Sequence, residues 1–144
     1  MSDKIPVVID LTSTVENGSE EETTHNQVKG DLLSKGQATY IRYNEQTEDE
    51  ESVRNVVKIT EEEMVILRNG PVSMNQRFRE GQTTEGHYGT QFGNMHMETA
   101  TERMAFTREP DQGTGEIVLE YQLKLQGNEL GRVTLTFTFR EVGQ

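Results

Sequence analysis

The last third of the chain alternates. In EIVLEYQLKLQ, Ile117, Leu119, Tyr121, Leu123 and Leu125 share one parity, and Val118, Glu120, Gln122, Lys124 and Gln126 share the other. In RVTLTFTFRE, Val133, Leu135, Phe137 and Phe139 alternate with Arg132, Thr134, Thr136, Thr138 and Arg140. Successive side chains on a strand point to opposite faces, so a period of two predicts two half-buried strands. QGNELG between them, with Gly127 and Gly131, predicts the turn of an antiparallel hairpin.

The rhythm recurs upstream. Ile5, Val7, Ile9, Leu11 and Val15 share a face within residues 5–16, Tyr40, Ile41 and Tyr43 mark a strand in QATYIRYNE, and Val53, Val57 and Ile59 fall together in 52–60. Tyr40 and Tyr43 differ in parity, so at most one points inward. EMVILR and VSMNQRFR flank Asn69, Gly70 and Pro71 as another hairpin, with Val72, Met74 and Phe78 on one face and Arg77 and Arg79 on the outer one. A weaker strand is expected over 24–33, and two more over 86–92 and 94–107, giving about ten in all. EEEMVIL is the one stretch that could start a helix, and its β neighbours argue against it. Many short amphipathic strands in sequential hairpins predict an all-β fold: one domain over residues 1–144, a single antiparallel, mostly up-and-down β-barrel of about 8–10 strands.

Charge narrows the partners. The 144 residues carry a net charge of −11 with a pI near 4.7, so no nucleic acid and no anionic membrane surface is expected as a partner. Ten of the 25 acidic residues fall in 20–22, 48–51 and 61–63, where solvated tips between strands are expected. No cysteine is present, which removes thiolate nucleophiles, disulfides and Cys-based zinc sites. The apolar run from Ile5 to Ile9 is too short for a signal-peptide core, and the expected location is the cytoplasm.

EGHYGTQFGNMHMETA, residues 85–100, is the stretch richest in candidate chemistry, with His87, His96, Met95 and Met97. On a regular strand His96 points away from Met95 and Met97, His87 lies nine residues off, and only His25 remains as a third imidazole. Neither HxH nor HxxxH spacing occurs, so no metal site is expected. No GxSxG elbow occurs and no catalytic residue is assigned. Gly86, Gly89 and Gly93 are expected to bend the strand around the barrel, with Tyr88 and Phe92 packing one face and Thr90 satisfying a backbone group.

ATYIRYNE (38–45), VILRNGPVSMNQRF (65–78), GHYGTQFG (86–93) and GTGEIVLEYQLKLQGNELGRVTLTF (113–137), in that order along nearly the whole chain, resemble the YwiB-like family of uncharacterised bacterial proteins. The resemblance implies a calycin- or lipocalin-like β-barrel. The family carries no established activity, so it implies no catalytic residue. Pro71, which restrains its turn more than an ordinary residue would, departs from the family pattern.

If the barrel holds a ligand, its polar contacts come from inward positions that break the apolar rule. Tyr121 lies in the apolar row of its strand; Arg68 follows Met64 and Ile66 by parity; Arg103 follows Met95, Met97, Thr99 and Thr101 if no bulge intervenes. The candidate ligand-binding set is therefore Arg68, Tyr88, Thr90, Arg103 and Tyr121. The expected function is a non-enzymatic barrel, a monomer or homodimer, that binds a small-molecule ligand of amphipathic or anionic character and needs no cofactor. The competing expectation is a filled barrel acting as an interaction module through its acidic loops or a strand edge.

Overall fold

A computed structural model describes residues 4–47 and 49–142. Its strands are β1 (Ile5–Asn17), β2 (Glu20–Lys35), β3 (Ala38–Gln46), β4 (Ser52–Ile59), β5 (Met64–Asn69), β6 (Ser73–Phe78), β7 (Thr83–Thr90), β8 (Gly93–Glu109), β9 (Thr114–Leu125) and β10 (Asn128–Glu141). Each pairs antiparallel with the next, and β1 pairs with β10, so the sheet closes on itself as an up-and-down barrel. No helix occurs among the described residues, and none is long and apolar enough to cross a membrane. EEEMVIL divides into a turn, in which the Thr60 N–H donates to the Glu63 carbonyl at 3.0 Å, and strand β5.

The alternating rows meet inside. Val7, Ile9, Leu32, Ile41, Val57, Met64, Phe78, Ile117 and Leu119 are each no more than 2% exposed. They fill the half of the barrel where β1 begins and β10 ends, with the β2–β3, β4–β5, β6–β7 and β8–β9 turns. This closed end is stitched further: the Gly81 N–H donates to the Thr101 carbonyl at 2.8 Å, and the Thr101 N–H to the Gln82 carbonyl at 3.0 Å. Gly30 lies so close to the Arg42 carbonyl and the Ile9 side chain that a Cβ has no room, so glycine is needed where β2 passes β3 at mid-barrel.

Several local expectations need correction. The β9–β10 turn is only Gln126 and Gly127, both at positive φ (52° and 78°); the rest of QGNELG belongs to β10, with a register shift between Glu129 and Gly131. β2 is longer than 24–33, and Glu20–Glu22 stand on it, opposite Asn17, Glu16 and Val15 of β1, rather than in a turn. Glu63 is not a free tip residue: it accepts from Arg77 at 3.0 Å and Arg79 at 2.8 Å. Asp49–Glu51 do lie exposed between β3 and β4, and Glu48 lies outside the described residues.

Candidate functional site

At the other end the barrel is not filled. A cavity of about 330 Å³ opens there, walled by Leu11, Ile66, Met74, Met97, Leu123, Leu125, Leu135 and Phe137 together with Ser13, Thr24, Asn26, Tyr43, Glu45, Asn55, Arg68, Gln76, Tyr88 and Tyr121. The strand register explains the polar share. Tyr43 stands opposite Asn55, Asn55 opposite Arg68, Arg68 opposite Met74 and Met74 opposite Tyr88, so one cross-strand row carries a polar belt over β3–β7.

Each belt group has a distinct environment. Arg68 donates from Nη2 to Glu45 Oε1 at 3.1 Å, while its buried Nε has no partner. Burial pushes the Tyr43 hydroxyl up from its ordinary pKa; the Glu45 carboxylate adds to this and Arg68 opposes it. Asn55 is 2% exposed and donates from Nδ2 to the Val53 carbonyl at 3.2 Å. Deeper in, Gln76 donates from Nε2 to Thr99 Oγ1 at 3.1 Å. Burial raises the Tyr121 hydroxyl to about 12, against the lowering effect of the neighbouring Gln76 amide. The rings of Phe78 and Tyr121 meet edge to face at 5.0 Å, which fixes the tyrosine at the cavity floor.

Of the five residues expected at a site, Arg68, Tyr88 and Tyr121 line the cavity. The other two do not. A β-bulge between Thr101 and Arg103 reverses the parity of β8, so Arg103 turns to the outer face and donates to Glu120 Oε2 at 3.1 Å. The bulge exposes the Met104 N–H, which the Glu80 carboxylate accepts at 2.9 Å. Thr90 ends β7, and its hydroxyl accepts the Phe92 N–H at 3.1 Å, a turn contact outside the cavity. Phe92 packs no face: it projects from the β7–β8 turn, 90% exposed. Tyr43 is the inward member of its tyrosine pair.

Residues 85–100 form a hairpin on which His87 and His96 stand directly opposite each other, despite their separation in sequence. His96 Nε2 lies 3.3 Å from Glu85 and 3.9 Å from Glu98. Those three residues bring ligand atoms close enough for a cation, but two of the three are exposed, and the contacts are those of a surface ion pair. Gly86 acts through close approach: its Cα faces the Asn75 carbonyl where a Cβ has no room, and there the β6–β7 ladder narrows to the three pairs from Ser73 to Asn75.

Sequence reasoning missed Tyr43, Glu45, Asn55 and Gln76. The signal was present: Asn55 interrupts the row Val53–Val57, and Gln76 the row Met74–Phe78. A buried amide in an otherwise apolar row marks space to be shared with a polar partner.

The protein-family model described as a domain of unknown function, DUF1934, matches residues 9–137. The uncharacterized β-barrel protein YwiB of Bacillus subtilis (strain 168) is 26% identical over 137 residues, 95% of this chain and 96% of YwiB. The crystal structure of the ywiB protein from Bacillus subtilis superposes with a TM-score of 0.86 at 25% identity, over 97% of this chain and 94% of that one. The closed ten-stranded barrel and the match over most of the chain agree: this protein belongs to the DUF1934 family of uncharacterised β-barrel proteins.

Proposed function

We propose that the protein is a non-catalytic binder of one small amphipathic molecule, held in the open end of its barrel as in lipocalin-like proteins. The observation that carries this reading is the cavity of about 330 Å³ with largely apolar walls and a polar belt. That volume lies in the range of small-molecule pockets, about 300–1,000 Å³. An apolar portion fits against Ile66, Leu135 and Phe137, and a head group at the level of Tyr43, Asn55 and Arg68. The unpartnered Arg68 Nε calls for an acceptor such as a carbonyl or hydroxyl. Glu45 already holds Arg68 Nη2, and Glu20–Glu22 and Asp49–Glu51 crowd the same end, so a neutral head is favoured over a multiply charged anion. The competing interaction-module reading loses its strand-edge route, since the sheet is closed.

Native mass spectrometry on protein purified from its own host tests the proposal. The expected result is an extra mass that vanishes on denaturation and is lost in the Asn55→Leu variant, whose larger apolar side chain fills the belt. A clean apo mass, together with no thermal shift from a small-molecule library, overturns it.

A further inference from the structure

The barrel exterior is uneven. On β1 and β10 the outward positions are largely threonines: Thr12, Thr14, Thr134, Thr136 and Thr138. On β2–β5 the outward positions include Lys29, Asp31, Leu33 and Lys35, then Tyr40, Arg42 and Asn44, then Arg54, Val56 and Lys58, then Val65 and Leu67. Lys29, Lys35, Arg42 and Arg54 are exposed, with Leu33, Tyr40, Val56, Lys58 and Leu67 half-buried between them. This basic and apolar face belongs to a chain whose net charge is −11.

The face is also grooved. A depression of about 510 Å³ is lined by Lys29, Asp31, Arg42, Asn44, Arg54, Val56 and Asn69, among others. Gly30, which has no side chain to fill the space, forms part of its lining. Asp31 is the one carboxylate of this lining, 4.0 Å from Arg42. Arg77, Arg79, Arg103 and Arg132 each sit on a carboxylate; Lys29 and Arg54, like Arg108, Lys124 and Arg140, have no such partner among the described residues. Glu61 and Glu62 border the face only at its closed-end edge, beside Lys35 and Lys58.

We propose that this groove on the outside of β2–β5 docks an acidic, amphipathic peptide segment of another protein. Lys29 on β2 and Arg54 on β4 are separated by one intervening strand, about 10 Å across the sheet. Carboxylates three residues apart on a polyproline II chain, which returns to the same face every three residues at about 3.1 Å each, span nearly the same distance. Asn44 stands between the two cations, and Val56, with Leu67 beside it on β5, offers apolar contact to the intervening side chains. Nucleic acid fits less well, because Tyr40 is the lone aromatic on the face and no stacking platform exists for successive bases. The groove opens on the outside of the barrel, and Tyr43 and Asn55 line both it and the cavity.

Fluorescence anisotropy with a fluorescein-labelled peptide carrying Glu at every third position and Leu or Val between them is the test. The expected result is saturable binding that weakens as salt screens the charges and falls roughly tenfold or more when Lys29, Arg42 and Arg54 are all changed to Glu. The gentler Lys29→Gln, Arg42→Gln, Arg54→Gln variant loses affinity in the same direction, and circular dichroism on both confirms the barrel. Arg103→Gln, on the outer face of β8 away from the groove, leaves peptide affinity unchanged. Absence of saturable binding, equal affinity for the charge-reversed variant, or tighter binding of an oligouridylate to the same residues overturns the proposal. So does a sedimentation profile in which the face is occupied by a second copy of the chain and releases it only on charge reversal.

Discussion

Two neighbouring rows of one sheet build two different interiors. Leu32, Ile41, Val57 and Ile66 face one another across β2–β5, each at most 4% exposed. One row toward the open end stand Gly30, Tyr43, Asn55 and Arg68 on the same strands. The step is two residues per strand, about 6.6 Å. Aliphatic side chains in the first row interdigitate and exclude solvent. The second row cannot close in that way, because amide, hydroxyl and guanidinium groups lose about 1–3 kcal/mol each if buried without partners. The difference between the ends is thus chemical rather than topological: backbone and pairing continue unchanged, and the polar row keeps the barrel open.

Truncating one side chain at each end separates them most. Phe78→Ala at the closed end removes a ring that is 0% exposed, packed against Tyr121, and is expected to cost about 3–5 kcal/mol. Leu135→Ala, whose side chain already faces the cavity, is expected to cost about 1–2 kcal/mol, its transfer free energy without a new void. Urea denaturation midpoints check both, and equal losses would break the comparison.

The closed end was legible in the sequence because filled rows obey strict alternation: Ile117, Leu119, Phe137 and Phe139 are buried where their parity places them. The open end was legible only in part. Arg68 and Tyr121 follow from parity on uninterrupted strands, and both line the cavity. Arg103 does not, because one extra residue at the bulge on β8 reverses every parity after it, and that insertion is stabilised by a distant side chain, Glu80, with no local motif to mark it. Thr90 and Phe92 fail for another reason. The turn Gln91–Phe92 leaves them at a tip, where periodicity no longer governs direction.

Alkali sharpens the contrast through Tyr121. Its pKa is raised from 10.0 to about 12, so the folded state favours the neutral phenol. The corresponding stability is fully present below pH 10 and is lost as pH rises through 12, an effect on the order of 3 kcal/mol. Tyr121→Phe is expected to remove its own share of that pH dependence in chemical denaturation carried out at successive pH values, leaving a contribution of the same sign and at least equal size from Tyr43, whose hydroxyl burial raises further.

The Arg68–Glu45 pair carries a smaller effect. The two side chains remain 24% and 34% exposed, so solvent screening discounts their coupling to roughly 1 kcal/mol. Arg68→Met alone is expected to destabilise by about 1–2 kcal/mol, since it strands a half-buried carboxylate. Adding Glu45→Gln recovers most of the loss. A double-mutant cycle measures the coupling, and strict additivity would show that the pair does not shape the belt.

Phe92 sets the lower limit. It stands at the open end, 90% exposed, and its backbone N–H is held by the Thr90 hydroxyl at 3.1 Å. Phe92→Ser removes no packing and is expected to change stability by less than about 0.5 kcal/mol. Thr90→Val removes the hydroxyl acceptor and is expected to cost more than Phe92→Ser, about 0.5–1 kcal/mol. Thermal melts of the two variants give the order. The reverse order would mean that the phenyl ring folds back over the cavity mouth in solution. The open end would then be covered by an apolar side chain, and its difference from the closed end would be one of occupancy rather than of polar lining.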